Sequence, residues 1–336
     1  MLAPDIVRLS LPSPFAIGDV NSYLLRGDPL TLVDPGPRTR KTRAALEQGL
    51  DDHGLRVADI ELVVLTHQHH DHIGLAGEVR ERSGARVAAI EPLQRFLADF
   101  DAAMDADDAY AGAIMVRHGV EPDVADSLGD MSVAFRRFAA SVEVDTVVGD
   151  GDRVRFGARD FVVHARPGHS PTDTVFHDEG DGLLIGGDHL LEHVSSNPIA
   201  HAPIGITDPA AVACSAGRPR PLMTYLESMR RTRAMDVGVV LPGHGVPFTG
   251  HAELVIRRQG MHERRARKIL DEVDGLRTAA DIAAILWRRA PVTQTFLALS
   301  ETLAHLDLLT DEGLVEEVVD SNVVRWRRTG RERAVA

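Results

Sequence analysis

The sequence of 336 residues lacks the features that mark secreted and membrane-spanning chains. It contains one cysteine, Cys214, so no disulfide can form within the chain, and a reducing compartment is expected. No apolar run approaches the roughly 18 residues that a membrane span requires. The N-terminus shows no basic segment followed by an apolar one, which predicts that a signal peptide is absent. We therefore expect a cytoplasmic protein that does not associate with membranes.

The sequence also lacks an excess of basic residues. Lysine and arginine number 37 against 50 aspartates and glutamates, which gives a net charge of −13 at pH 7. Residues 251–336 hold 14 basic and 14 acidic residues, so the remainder of the chain carries the whole −13. A surface that follows phosphate groups needs a basic stripe. The charge therefore disfavours nucleic acid as a partner.

Histidine is abundant in one short stretch, "LTHQHHDHIG" at residues 65–74. The preceding "IELVVL" is rich in β-branched residues and predicts a buried strand, and the following "IGLAGEVRERSG" predicts a helix. The stretch thus lies at the carboxyl end of a strand, where open α/β sheets place their ligands. Imidazole and carboxylate are preferred ligands of divalent transition metals, so a metal site is predicted; a proton relay or a pH switch is the alternative. The candidate residues are His67, His69, His70, Asp71 and His72.

Three further ligand-type residues end apolar runs in the same way. His169 stands in "RPGHS", Asp188 in "LIGGDH" and His244 in "VLPGHG". Each follows a predicted strand or its glycine turn, and glycine allows the chain to turn sharply there. Taken together, these residues form a series at strand ends, which predicts that they share one rim with the histidine-rich stretch.

The chain divides into a catalytic part, residues 1–250, and a C-terminal part, residues 251–336. Within the first part, residues 92–140 read as a helical insertion that either packs onto the domain or forms a lid. The later "GDGD" at residues 149–152 is a turn signal between two alternating runs. The C-terminal part predicts three helices and a hairpin, a small winged-helix-like domain. Its helix "FLALSETLAHLDLLTDEG" has no Lys or Arg, so packing, homodimer formation or closure of a substrate pocket is expected rather than DNA binding.

These motifs resemble those of the metallo-β-lactamase-fold hydrolase superfamily over about residues 1–250. The family pattern T-H-x-H-x-D-H stands at residues 66–72, with His70 at its variable position, and Asp34 in "LVDPG" matches an upstream family aspartate. The resemblance implies an α/β fold, a four-layer αββα sandwich with a two-metal site at one edge. Asp34 would orient a ligand histidine by a hydrogen bond. The implied metal ligands are His67, His69 and His169 for one ion, Asp71, His72 and His244 for the other, and Asp188 as the bridge.

The resemblance further implies a metal-dependent hydrolase that cleaves a small acyl substrate, a thioester, ester or lactone, with a hydroxide bridging two divalent ions. Zinc is the expected metal, and iron and manganese are alternatives. Asp71 would also accept a hydrogen bond from the nucleophile or pass a proton to the leaving group. The ligand set without cysteine resembles the glyoxalase II and two-zinc hydrolase branch. The sequence departs from glyoxalase II itself at "GHSPTDT", where Asp173 replaces a second histidine, and it shows no recognisable glutathione-binding region.

Other functions on the same fold are alternatives. The winged-helix-like tail resembles the lactamase-beta-like-2 branch, which includes an endoribonuclease, so RNA or another phosphodiester is the second candidate substrate. Only 55 residues separate Asp188 from His244, too few for the insertion of the dedicated RNA-processing members. An iron-dependent oxygenase is the third candidate, but a mononuclear site would not need Asp71 and His244. A non-catalytic binding module has no reason to keep seven ligands.

Overall fold

A computed structural model describes residues 3–331, whose strands form two large sheets and one separate hairpin. The strands are β1 (Ile6–Leu11), β2 (Val20–Leu25), β3 (Thr31–Val33), β4 (Leu62–Val64), β5 (Arg86–Ile90), β6 (Thr146–Val148), β7 (Arg153–Phe156), β8 (Arg159–Ala165), β9 (Thr174–Asp178), β10 (Leu183–Gly187), β11 (Val239–Pro242), β12 (Val315–Asp320) and β13 (Val323–Arg328). The helices are α1 (Arg40–Asp51), α2 (His70–Ile73), α3 (Ala76–Ser83), α4 (Glu91–Ala98), α5 (Phe100–Arg117), α6 (Pro122–Phe135), α7 (Pro209–Ala213), α8 (Pro221–Arg233), α9 (His251–Glu272), α10 (Ala279–Leu286) and α11 (Thr295–Asp311). No described helix combines the length and the hydropathy needed to cross a bilayer.

The two large sheets are mixed. The first has the order β1-β2-β3-β4-β5-β6, and β3 to β6 run parallel. The second has the order β11-β10-β9-β8-β7, in which β10 and β11 run parallel. Each sheet thus contains neighbouring parallel strands, whose carboxyl ends lie at a common edge.

Alternating side chains place both sheets between layers of helices. In β4, Leu62 and Val64 join a core between the sheets, and Val63 packs on the opposite face with α1 and α3. In β10, Leu183 lies in the core between the sheets and Leu184 packs against α8 and α9. Because both faces of each sheet are covered, the predicted four-layer αββα sandwich is confirmed.

The predicted turn at residues 149–152 is present, but the strands before and after it do not pair with each other. β6 pairs with β5 in the first sheet, and β7 pairs with β8 in the second. The "GDGD" turn therefore carries the chain from one sheet to the other. The hairpin turn lies later, at Gly157, which has a positive φ of 59° that glycine adopts without strain.

The helical insertion connects the sandwich to the C-terminal elements. Phe96 and Phe100 belong to the core of the first sheet. Tyr110 and Ile114 share a second core with α9, α10, α11 and the β12–β13 hairpin. Helix α9 itself spans both units, since its first turns pack on the second sheet and its later turns in the C-terminal core. The insertion therefore packs on both units, while its role as a lid and the domain boundary near residue 250 stay predictions.

Candidate metal centre

The predicted ligand residues lie at one edge of the sandwich. Asp34 follows β3, His67 and His69 follow β4, Asp188 follows β10, and His244 follows β11. The loop between β8 and β9 supplies His169. The sequence indicates a loop for the whole histidine-rich stretch, but residues 70–73 form one helical turn, α2, which carries Asp71 and His72. The parallel strand ends of both sheets thus bring these side chains to one place.

Three imidazoles form the first cluster. Nδ1 of His69 lies 3.0 Å from Nε2 of His67 and 3.0 Å from Nε2 of His169. Nδ1 of His69 carries at most one proton, so it cannot donate a hydrogen bond to both neighbouring rings. Three ring nitrogens that face one another in this way form an arrangement typical of a metal site.

Asp71, His72 and His244 form the second cluster, and Asp188 lies between the two clusters. Oδ2 of Asp71 lies 3.4 Å from Nε2 of His244. Oδ1 of Asp188 lies 3.5 Å from Nε2 of His72, and Oδ2 lies 3.5 Å from Nε2 of His244 and 3.8 Å from Nε2 of His169. Asp188 is therefore the carboxylate that faces ligand atoms of both clusters, as the family resemblance implies for a bridge.

Hydrogen bonds on the far side of three rings fix which nitrogen carries the proton. Nδ1 of His72 donates to Oδ2 of Asp34 at 2.8 Å. Nδ1 of His169 donates to the carbonyl of Asn197 at 2.9 Å, and Nδ1 of His244 donates to the carbonyl of Asp19 at 2.8 Å. In the neutral ring each bond leaves the lone pair of Nε2 directed into the site, which is the tautomer that a metal needs.

Asp34 also fixes His67, through Thr66. The backbone N–H of Thr66 donates to Oδ1 of Asp34 at 2.9 Å, and its hydroxyl donates to Oδ2 at 2.7 Å. Because the hydroxyl proton is used on Asp34, Nδ1 of His67 must donate to the same hydroxyl oxygen, at 2.9 Å. Asp34 thus contacts His72 directly and His67 through Thr66, and its role in orienting a metal ligand stays a prediction.

Gly243 leaves room for the second cluster. A Cβ at this position would overlap Oδ1 of Asp188 and lie 2.7 Å from Cε1 of His72. Any other residue would push both side chains away from the strand end. The glycine before His244 thus allows the backbone to pass close to the side chains of Asp188 and His72.

Burial and charge make the site attractive to cations. Burial, with the neighbouring His72 ring next in importance, lowers the pKa of His67 well below 6.5, and burial does the same for His69. Burial alone would also lower the pKa of His72, but Asp188 and Asp34 outweigh it and raise that pKa well above 6.5. His67 and His69 are thus neutral imidazoles, and the carboxylates beside His72 favour positive charge there.

The donor set fits two divalent ions. Nε2 of His72, Nε2 of His244 and Oδ1 of Asp188 are buried, and among residues 3–331 none of these atoms has a hydrogen-bond partner. Each unsatisfied buried polar atom costs about 1–3 kcal/mol, and these three face the same space. Bound cations would satisfy all three atoms, since imidazole and carboxylate are their preferred ligands.

Two residues that the sequence patterns do not reveal extend the site. Nε2 of His201 lies 3.3 Å from Nε2 of His69, and Nδ1 of His201 donates to Oδ2 of Asp107 at 2.7 Å. Because Nδ1 of His201 donates to Asp107, Nε2 of His201 accepts a hydrogen bond from Nε2 of His69. Nδ1 of His69 therefore carries the lone pair that faces the first cluster. Neither residue follows a strand, so neither shares the signal that marks the other positions.

His70 and Asp173 lie outside both clusters. His70 packs with its ring 5.7 Å from that of Phe100, away from the converging nitrogens. Asp173 accepts hydrogen bonds from the backbone N–H and the hydroxyl of Ser170, at 2.8 and 2.7 Å. The residue that replaces the second histidine of glyoxalase II thus stabilises the loop that carries His169.

Comparison with known families agrees with this geometry. Residues 16–244 match the family described as "Metallo-beta-lactamase superfamily", and residues 267–329 match "Metallo-beta-lactamase-like, C-terminal domain". The chain belongs to the metallo-beta-lactamase superfamily. Within that superfamily it is a metal-dependent hydrolase.

Full-length relatives share both parts of the chain. The "Probable metallo-hydrolase YqjP" of Bacillus subtilis (strain 168) is 32% identical, with 98% of this chain and 100% of the relative covered. The crystal structure of the metallo-beta-lactamase family protein TTHA1429 from Thermus thermophilus has a TM-score of 0.80 and 28% identity, covering 98% of this chain and 100% of that one. A hydroxyacylglutathione hydrolase of Cereibacter sphaeroides is 30% identical over 129 residues, 38% of this chain and 33% of that protein. The match in fold thus covers 98% of this chain, whereas the match to an enzyme with a named substrate covers 38% of it.

Proposed function

We propose that the protein hydrolyses a small acyl substrate, a thioester, ester or lactone, with two divalent cations of which zinc is the default. The observation that carries the proposal is the convergence of both clusters on Asp188, with buried donor atoms that have no other partner among residues 3–331. The proposed metal ligands are His67, His69, His169, Asp188, Asp71, His72 and His244.

Two bound ions would lower the pKa of a shared water and polarise the carbonyl of the substrate. Asp71 supplies the proton transfer in this proposal. Burial raises the pKa of Asp71, but His244 and His72 outweigh burial and hold it below 3.8. An ionised Asp71 can accept a hydrogen bond from the attacking water and then return the proton to the leaving group.

The charges beside the site favour a carbonyl substrate over a phosphodiester. The cavity that opens next to His69 has no Lys or Arg among the described residues that line it, and Asp107 and Asp108 contribute carboxylates. Helix α11, the candidate DNA-reading helix, is buried along most of its length. Both observations support the expectation that nucleic acid is not the substrate.

The match to a hydroxyacylglutathione hydrolase, over 38% of this chain, supports a thioester. The presence of Asp71 and His244 in a second cluster supports two metals rather than the single iron of an oxygenase. The one cysteine, Cys214, is free and exposed, which supports a reducing compartment such as the cytoplasm. A homodimer stays a prediction.

A hydrolysis screen with metal analysis tests the proposal. Protein purified without chelator should contain two metal ions per chain and should hydrolyse a member of a panel of acyl thioesters, esters and lactones. Asp188→Ala should abolish this activity, whereas His193→Ala, at an exposed histidine, should keep it. One metal at full activity would exclude the two-metal mechanism. RNA cleavage that is lost in Asp188→Ala, without carbonyl hydrolysis, would replace the proposal with the nuclease alternative.

A further inference from the structure

A cavity of about 320 Å³ opens beside the first metal cluster. Its walls come from α5 and α6 of the helical insertion, from the chain around Ala200, and from the start of α11. His69 and His201 both line it, so a molecule whose reacting carbonyl lies at the metal centre can extend into this space. The cavity is therefore continuous with the site described above.

The cavity is polar at the metal end and apolar beyond it. Oε1 of Gln68 and Nε2 of His70, from the two residues that flank His69 in the sequence, are buried without a hydrogen-bond partner among residues 3–331. The walls formed by α5 and α6 carry Met104, Met115 and Leu128. Methionine side chains are flexible and adapt to apolar ligands of different shape. An amphipathic ligand, polar at the reacting end, fits this division.

The two carboxylates of the lining are already held by partners. Asp107 accepts a hydrogen bond from His201, and Asp108 pairs with Arg136. Among the described residues that line the cavity there is no Lys or Arg. A phosphate or carboxylate group inside the cavity would therefore be desolvated without a counter-charge, which is strongly unfavourable.

We propose that this cavity binds the hydrocarbon chain of a medium-length acyl group, so that the substrate is a thioester or ester of an apolar acid. The inference rests on the hydrolase function proposed above and adds the class of acyl group. A volume of about 320 Å³ lies at the lower end of the range for ligand pockets, which suits a medium-length chain. Each methylene that the cavity removes from water should raise kcat/KM about fourfold until the cavity is full.

Two glycines allow a matched test. Gly129 of α6 lines the cavity, and a Cβ built on it meets no atom within 4 Å, so Gly129→Leu would fill the cavity without a clash at that Cβ. Gly112 of α5 is equally open but does not line the cavity, which makes Gly112→Leu the control. N-acetylcysteamine thioesters with acetyl, butyryl, hexanoyl and octanoyl groups are the substrates. Binding of neutral octanamide, measured by calorimetry, gives a readout that does not depend on turnover.

The wild type and Gly112→Leu should show kcat/KM rising with chain length. Gly129→Leu should lose at least tenfold in octanamide affinity, and its loss of kcat/KM should be at least tenfold larger on the octanoyl thioester than on the acetyl thioester. Equal kcat/KM for all four thioesters, or an equal loss on all four in Gly129→Leu, would overturn the acyl-chain proposal and leave the hydrolase function intact. If neither these thioesters nor any ester or lactone of the screen is hydrolysed, the proposed function fails, and octanamide decides the cavity: binding lost only in Gly129→Leu supports an apolar ligand site, and no binding overturns it.

Discussion

Oδ2 of Asp107, on the helical insertion, accepts a hydrogen bond of 2.7 Å from Nδ1 of His201. Through His201 this carboxylate orients His69, which contributes to the first cluster by Nδ1. Carboxylates that orient ligand histidines typically contribute 10–100-fold to metal affinity. The insertion therefore takes part in organising the metal centre as well as in packing.

We expect His201→Ala to weaken the binding of one metal ion by about 10–100-fold while the other ion stays bound. Asp107→Asn should weaken it less, because the amide oxygen can still accept from His201. Competition with a chromophoric chelator, followed for each of the two ions, measures the effect. His193→Ala is the control. An unchanged affinity for both ions in His201→Ala would show that His69 needs no such support.

The contrast between these residues and the ligands shows what the sequence could reveal. A local pattern marks four of the proposed ligands: a predicted strand ends in a ligand-type residue, often beside glycine. These residues are His67, His169, Asp188 and His244. The contact between Asp107 and His201 joins positions 94 residues apart. Neither position follows a strand, and helical periodicity in α5 does not say which loop its polar residues meet. Contacts made only by tertiary packing could not be predicted from one sequence.

The same distinction applies to the fold. The strands of the sandwich core and the three C-terminal helices follow from apolar periodicity and from turn residues. Strand β1 and the short helix α7 were not predicted. The division of β7 from β8 was missed as well, because the alternation of side chains continues across Gly157. For β1, β7 and β8 the pairing partners, which depend on the neighbouring strand, decided the elements.

His70 and His72 should differ sharply although they stand two residues apart. His72→Ala removes a proposed ligand that Asp34 orients, so we expect it to lose one metal ion and most of the activity. His70→Ala should keep both ions and change substrate affinity at most, because its ring faces Phe100 and the cavity. Elemental analysis and turnover of the two variants measured side by side check this. Loss of metal from His70→Ala but not from His72→Ala would mean that the motif has been aligned wrongly.

A buried ion pair joins the loop before α8 to helix α11. Arg218, in the loop before α8, pairs with Asp307 of α11, and one of the two bonds is 2.8 Å long. Removal of one partner leaves a buried charge, so Asp307→Ala should lower the free energy of unfolding by about 3 kcal/mol. Asp311→Ala, at an exposed position of the same helix, should change it by less than about 0.5 kcal/mol. Urea denaturation of both variants measures the difference, and equal stabilities would contradict a structural role for the pair.

Acid should destabilise the protein through His118. This side chain is 2% exposed, and neither ring nitrogen has a hydrogen-bond partner among residues 3–331. Burial, followed by the charges of Arg218 and Arg117, lowers the pKa of His118 from 6.5 to about 3. Between pH 6.5 and pH 3 the unfolded chain therefore binds a proton that the folded chain does not, so stability is present above pH 6.5 and falls as the pH decreases.

At pH 5 this single group should cost about 2 kcal/mol of stability relative to pH 8. His118→Phe keeps a ring against Trp326 and cannot titrate, so its stability should fall by about 2 kcal/mol less than that of the wild type between pH 8 and pH 5. His53→Gln, at an exposed histidine, should follow the wild type. Urea denaturation at both pH values measures the three proteins. If His118→Phe lost as much stability as the wild type, the ring of His118 would have to be protonated in the folded protein, and the acid sensitivity would have to come from other buried groups.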